Sequence, residues 1–595
     1  MSTKSLHTFH IPVMGLAYTI DSPIRVAKYG ISSVISVMDD ELMEKMNQFY
    51  SLQFGFPYQE ITKKMEDFRC KRITSYLNLV DKIVKQKFSQ WKEELSESKK
   101  AVENYIEMLP SSSEIRREFQ KFIQETPFKQ NLINFIDQQL KPGDIDVNIM
   151  TKVDKENFDK NQPLDSIYND AHAALRGFAQ STLNSSVVLS AGMNPRLFSY
   201  FETFDDFYPN ANNELPKRII LKVSDYRSAM IQGSFLAKKG LWVSEYRIES
   251  GLNCGGHAFA TEGYLLGPIL EEFKEKREEL QKATHELMCK ALLQKERHLP
   301  ESPLPLNITA QGGVGTAEEH AFLLDRYQLS SVGWGTPFLL VPEATSVDKK
   351  TRELLQNAKE DDLYLSALSP LGIPFNTVKG MSNDLYRTQR ILKEKAGSSC
   401  PRKYLALNKE YTNQGLCTAS RKFQDKKIME LEAQKPQLTD AHFEERYRAI
   451  TEKACLCIGL ANASLLEHEL PIKGEAQGIV ICPGPNMAYF DKEVSLKTMI
   501  QHIYSREHSI IDAPRPHFFI KELRMYRDHF LGEKTELLRD FNAMKEKKLL
   551  KFKQNLLDGI RYYQELFAAD NFYFTREKDQ ALIELNSIRL ELDQG

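Results

Sequence analysis

Between Arg247 and Ala258 the chain reads R-I-E-S-G-L-N-C-G-G-H-A, a strand-like run that ends in three glycines, a cysteine and a histidine. Gly251, Gly255 and Gly256 allow a sharp turn and a close approach of backbone to a ligand. His257 is thereby delivered to the end of a strand, where a barrel keeps its chemistry. Two further clusters follow, Gln311-Gly312-Gly313-Val314-Gly315 and Gly333-Trp334-Gly335-Thr336, each closing a strand-like run. Glycines at consecutive strand ends expose N–H groups as an anion nest, and a helix starting at Thr316-Ala317-Glu318 adds its positive end. The chemistry predicted is phosphate binding beside an imidazole.

Positioning these residues requires a repeated strand-helix frame, and the chain has one. Strand-like runs occur at His10–Met14, Ser32–Met38, Ile145–Val153, Ser186–Ser190, Arg218–Val223, Leu241–Ile248, Leu306–Ala310 and Ser330–Val332. Helical segments separate them; Asp21–Tyr29 opens with a Ser22-Pro23 start signal, and Ile269–Lys295 is the clearest. Eight such units predict an α/β fold of the (β/α)8 TIM-barrel type, built from residues 1–39 and 142–345. A doubly wound sheet is the alternative.

Two regions do not follow this alternation. Residues 40–141 are rich in Lys, Glu, Gln and Leu, with Ile83, Leu95, Phe119, Phe122, Ile123, Leu132 and Ile136 at helical spacing, and are expected to form a helical insertion. Residues 346–595 are expected to be an α-rich C-terminal region. Within it, Asp361–Asn376 and Ile479–Asn486 carry Pro-Gly turn chemistry. His517–Leu566 repeats Met525, Phe530, Leu537, Leu538, Phe541 and Met544 at helical spacing, a face for packing or for a protein partner.

Composition narrows the class. The 595 residues carry 79 Lys and Arg against 81 Asp and Glu, a formal net charge of −2, which offers no electrostatic case for nucleic acid or an anionic membrane. The first residues lack the apolar core of a signal peptide and no run is long and uncharged enough to span a bilayer, so a cytoplasmic location is expected. Eight cysteines in this length do not suggest a disulfide framework. No H-E-x-x-H, G-x-S-x-G or Walker sequence occurs, and no metal ligand set is expected from the histidines.

Several segments resemble the nitronate monooxygenase (2-nitropropane dioxygenase) family. Gly251-Leu252-Asn253-Cys254-Gly255-Gly256-His257 is similar to that family's G-x-E-A-G-G-H, and Ala310-Gln311-Gly312-Gly313-Val314 to its A-A-G-G-I phosphate loop. Val332-Gly333-Trp334-Gly335-Thr336-Pro337-Phe338-Leu339, followed by Pro342-Glu343-Ala344, resembles its x-x-M-G-T-R-F-L-x-x-x-E-A. Pro12-Val13-Met14-Gly15 and Val147-Asn148 stand where the family has A-P-M-A and V-N, and all five matches keep the family's order over residues 8–38 and 144–345.

The resemblance implies an FMN-dependent oxidoreductase acting on a small molecule. It puts the FMN phosphate on Gly312, Gly313, Gly335 and Thr336, and the ring and ribityl chain near Met14, Asn148 and Lys222, with Gly255 and Gly256 in the cofactor-binding set. It makes His257 the general base on a carbon acid, a role that suits an imidazole beside an electron-accepting flavin. Asn253 replaces the family's Glu, Cys254 its Ala and Pro337 its Arg; these departures bear on the substrate more than on the cofactor.

Five cysteines fall late: Cys400, Cys417, Cys455, Cys457 and Cys482, two of them in Cys-Pro dipeptides of the kind found at iron–sulfur ligands. Their spacing fits no standard ligand run. The alternatives are therefore a flavin reductase or glutamate-synthase-like electron-transfer protein with an iron–sulfur cluster, and a flavin-binding protein without turnover. Lys393, Lys395, Arg402, Lys403, Arg421 and Lys422 form a modest basic patch, expected to be solvated surface.

Overall fold

The computed structural model describes residues 6–111, 113–124, 129–190, 192–472, 478–512, 514–569, 573–574 and 577–594. Eight parallel strands form its centre: β1 (Phe9–His10), β2 (Ser33–Ser36), β3 (Ile145–Met150), β4 (Ser186–Ser190), β5 (Arg218–Val223), β6 (Val243–Glu249), β7 (Asn307–Gln311) and β8 (Ser331–Gly333). They are hydrogen-bonded in the order β1-β8-β7-β6-β5-β4-β3-β2. A parallel bridge between Ile11 and Ser33, with the Ile11 N–H donating to Ser32 O at 3.0 Å, joins β1 to β2 and closes the sheet. The fold is a (β/α)8 barrel.

The expected strands are all present, and where their ends differ a local cause is visible. β1 pairs over Phe9–His10 rather than His10–Met14, because Pro12 has no N–H to continue a ladder. β3 stops at Met150 rather than Val153, where the chain turns and the Val153 N–H bonds Met150 O at 3.0 Å. Register across the sheet aligns Ile35, Val147, Val187 and Ile219, all buried and facing the helices. The period of two then turns Asn148, Ile220 and Lys222 inward.

Between β2 and β3 stand five helices: Asp40–Phe54, Phe68–Glu97, Lys99–Ile106, Glu114–Gln124 and Lys129–Gln139. Asp39 caps the first by accepting from Leu42 N at 3.0 Å. The 30-residue second helix lies against Asp170–Ala179, the helix after β3, so closely that a Cβ on Gly177 would meet Ile73 Cβ at 2.8 Å. Ile83, Leu95, Phe119, Leu132 and Ile136 are buried, while Phe122 and Ile123 are half-buried.

The C-terminal region is α-rich and also holds a hairpin, Leu363–Ser366 against Phe375–Val378. Of its last three helices, Phe518–Arg539 and Ala543–Ala569 pack on the loop and helix that follow β6, and Lys578–Gln594 packs on those two helices. There Tyr563 Oη accepts from Gly267 N at 3.0 Å and Phe552 O crowds Gly263. Phe530 is buried and Met525 half-buried, but Leu538, Phe541 and Met544 are exposed around the turn between the first two of these helices. Among the described residues no single helix is long and apolar enough to cross a membrane.

Candidate functional site

The C-terminal ends of the strands open into a cavity of about 400 Å³, within the range usual for small-molecule and cofactor sites. Met14, Asn148, Lys222, Gly255, Gly256, His257, Gly312, Gly313, Gly335 and Thr336 all line it. All eight strands or their following loops contribute to its wall, which explains why residues more than 300 positions apart converge there.

Lys222 at the end of β5 pairs with Glu249 at the end of β6, Nζ to Oε2 at 2.7 Å, and Gln311 Nε2 at the end of β7 donates to Glu249 Oε1 at 2.6 Å. A polar row thus crosses three strand ends. Asn148 is buried, and its Oδ1 has no hydrogen-bond partner. An unsatisfied buried acceptor costs about 1–3 kcal/mol, so this atom fits a ligand that presents a donor.

The glycine loops fit a phosphate through their main chain. Gly312 and Gly313 have φ of +119° and +78°, conformations that favour glycine. The N–H groups of Gly312, Gly313, Gly335 and Thr336 donate to no protein acceptor among the described residues. Thr336 Oγ1 accepts from Gly484 N at 3.0 Å and retains its own hydrogen for a ligand. One expectation needs correcting: the helix start at Ala317 is already neutralised from within. Thr316 caps it by accepting from Glu319 N at 3.2 Å, and the buried Glu319 carboxylate takes the Gly315 and Phe518 N–H groups at 2.8 and 3.0 Å. Arg515, paired with Glu319 at 2.5 Å, holds that carboxyl below its usual range against the effect of burial. An anion in this cavity would therefore meet the loop amides rather than the helix dipole.

His257 is mostly buried. Its Nε2 lies 2.7 Å from Ser369 Oγ, and its ring meets Phe375 edge-on with centroids 4.9 Å apart. Burial, aided by the Lys222 charge, lowers its pKa from 6.5 to about 4. The imidazole is therefore neutral at pH 7 and able to accept a proton, and it titrates well below the ordinary histidine value. Cys254 also lines the cavity, and burial raises its thiol well above the usual value, so it stays protonated. Asn253 points away from the cavity: its Nδ2 donates to Phe518 O at 3.2 Å and packs over Gly313.

Sequence reasoning missed the contribution of the C-terminal region to this site. Ser369, Phe375, Tyr404, Leu456, Cys482 and Asn486 reach the cavity or its residues. Arg515 binds Gly313 O from behind and Asn486 Oδ1 at 2.8 Å, while Asn486 Nδ2 donates to Val314 O at 2.9 Å. Glu522 supports the loop after β6, contacting Ser250 Oγ at 2.5 Å and Leu266 N at 3.0 Å. The Cys-Pro-Gly-Pro-Asn run at 482–486 was the one available signal, readable only as a turn.

No protein-family model matches the chain, and no curated protein matches it. Among solved structures, FabK from Thermotoga maritima is similar at 13% identity and a TM-score of 0.31, over 68% of this chain and 82% of that one. The enoyl reductase domain of MlnA, from the macrolactin biosynthesis cluster of Bacillus amyloliquefaciens, is similar at 15% identity and a TM-score of 0.33, over 76% and 89%. Similarity at that level carries no argument about chemistry.

Proposed function

We propose that the chain is an FMN-dependent oxidoreductase that takes a proton from a carbon acid, in the manner of the nitronate monooxygenases its motifs resemble. The observation that supports this most is the set of unused amides at Gly312, Gly313, Gly335 and Thr336, opening on the same cavity as His257, Lys222 and the unpartnered Asn148 Oδ1. Those four residues would hold the phosphate. Met14, Asn148 and Lys222 would bound the ring and ribityl chain, with Gly255 and Gly256 beside them. Bound there, FMN would supply an acceptor for the electron pair of the C–H bond.

The chain's own residues supply the rest. With Nε2 held by Ser369, Nδ1 of His257 is the atom that accepts the substrate proton. The Lys222 ammonium, fixed by Glu249, provides positive charge near an anionic substrate carbon or cofactor edge. The hairpin Leu363–Ser366/Phe375–Val378 covers His257 and keeps water from it.

Purified protein is expected to be yellow and to release FMN on denaturation; recovery of FAD, or failure to take up FMN, would overturn the cofactor assignment. His257→Ala should retain FMN, while flavin reduction by the substrate falls by about a hundredfold to ten-thousandfold. Since the neutral imidazole is the base, the rate should fall as pH drops through about 4, and that limb should vanish in the variant. An Ala variant with wild-type rate and pH profile would remove His257 from the mechanism.

A further inference from the structure

A second cavity, of about 350 Å³, opens beside the first at the loops after β3 and β4. Lys152 lines both, so the two adjoin. Gly192 at the barrel cavity gives Lys152 its room: a Cβ there would meet Lys152 Cε at 2.9 Å and Nζ at 3.1 Å. The two loops are fixed to one another, because Asn194 Nδ2 donates to Thr151 O at 2.9 Å and Thr151 Oγ1 to Ser190 O at 3.0 Å. The C-terminal region closes the outer side through Ala406 and Leu407. Lys409 on Glu156 at 2.6 Å and Gln414 Nε2 on Asn161 Oδ1 at 2.7 Å hold it there.

Four cations, Lys152, Lys155, Arg196 and Lys409, line this cavity with two carboxylates, Asp154 and Glu156. Both carboxylates are engaged. Glu156 holds Lys409, while Asp154 accepts from Ala171 N at 2.9 Å and lies 2.8 Å from His172 Nδ1. Lys152 and Arg196 have no hydrogen bond or ion pair among the described residues. Lys155 is half-buried, and its Nζ donates to Asn157 Oδ1 at 2.5 Å and Glu156 O at 3.4 Å, neither of them a charged group. Burial lowers its pKa against the attraction of Asp170. An ammonium drawn from water without a counter-ion is costly, and an anion in the cavity offsets that cost.

These cations do not serve a phosphate seated on the glycine amides. In the closed sheet β3 and β4 stand opposite β7 and β8. The amides of Gly312, Gly313, Gly335 and Thr336 therefore lie across the barrel mouth from Lys152 and Arg196. A second anionic group is what the unpaired charges match.

We propose that the second cavity binds an anionic tail of the substrate, a phosphate or carboxylate at the end remote from the reacting carbon. The Arg196 guanidinium offers a planar fork to such a group, and the two ammoniums offer rotatable charged donors. Lys152, at the junction of the cavities, would meet the tail where it leaves the barrel mouth. Assigning the anion to the substrate rests on the reading of the barrel cavity as the flavin site. The anion site itself rests only on the unpaired cations.

The test is calorimetric titration of the full chain, loaded with FMN and held at low ionic strength, with inorganic phosphate and with acetate. Lys152→Met, Lys155→Met and Arg196→Met should each weaken anion binding by about tenfold, with FMN content unchanged in Lys155→Met and Arg196→Met. Tighter binding of phosphate than of acetate assigns a phosphoryl tail, and the reverse order a carboxylate. Nitroalkanes bearing the tighter-binding anion at the far end should show a lower KM than plain nitroalkanes of the same length, an advantage that Arg196→Met should erase. No binding of either anion, or affinities equal in wild type and variants, would overturn the proposal. Gly313→Leu separates this result from the cofactor reading, since it should lose FMN yet keep the phosphate affinity of the second cavity. A chain that binds phosphate at these three residues without taking up FMN would sustain the anion site and overturn only the cofactor assignment.

Discussion

The loop after β6 and the loops after β7 and β8 are equally rich in glycine, yet their glycines serve different contacts. After β6, a Cβ on Gly251 would meet Phe259 O at 2.1 Å, and one on Gly255 would meet Cys482 O at 2.6 Å. Those positions admit the chain's own backbone, including the C-terminal segment that covers the barrel. After β7, the Cβ positions of Gly312 and Gly313 are taken by Ser250 and by the Asn253 side chain. Packing on that side leaves the N–H groups to face the cavity unused. The same residue type therefore builds a seat for protein in one loop and leaves unused amides at the cavity in the other.

The largest effect that could break this comparison is expected from Arg515→Met. Arg515 holds Glu319 and Gly313 O together behind the β7 loop, and both side chains are buried. Removing one partner leaves a buried charge, a loss of about 3–5 kcal/mol, and FMN retention should fall with it. Chemical denaturation and flavin content of the isolated variant check both. An unchanged midpoint would show that the β7 loop holds its shape without the clamp.

Gly313→Leu comes next. Its φ of +78° disfavours any side chain, and Asn253 Nδ2 stands 2.0 Å from the new Cβ. The left-handed backbone costs about 1–2 kcal/mol and overpacking about 1–3 kcal/mol. Because the displaced loop carries the amides, FMN binding measured by titration should be lost.

Two alanine substitutions after β6 sharpen the contrast. Gly255→Ala should cost about 1–3 kcal/mol by pushing away the segment at Cys482, with a smaller loss of flavin than Gly313→Leu. Gly256→Ala meets nothing within 4 Å and carries only the strain of φ +75°, about 1–2 kcal/mol. Equal losses of FMN in Gly255→Ala and Gly313→Leu would erase the distinction between the two loops.

The smallest change is one of slope. Burial pushes the Glu522 carboxyl up to about 7 from 4.5, against the Ser250, Leu266 and Tyr563 hydrogen bonds that lower it. Between those values the folded protein holds a proton that the unfolded chain has released, so stability should fall as pH rises from about 4.5 to 7. Glu522→Gln should flatten that dependence in thermal melts across the window. Asp146, also pushed up to about 7 by burial, keeps part of it.

The barrel was legible in the sequence because its information is local. Ser186–Ser190 and Arg218–Val223 read as strands from their own side chains and fall at those residues in the structure. The three glycine clusters followed from the same reading, since each ends a strand. The contacts of the cover were not legible. Arg515 touches a loop 202 residues before it, and Ser250 meets Glu522 across 272; no periodicity encodes a pairing at that separation. The pKa of His257 was hidden for the same reason, because Phe375 and Ser369 bury it from the far side of the cavity.

By itself the sequence determined the eight strands and their order along the chain, because a period of two and the turn residues act within a few positions. Only the tertiary structure decided which glycine amides stay unused and that His257 is neutral. Those properties depend on desolvation and on close approach between distant segments, which exist only once the C-terminal region lies over the barrel.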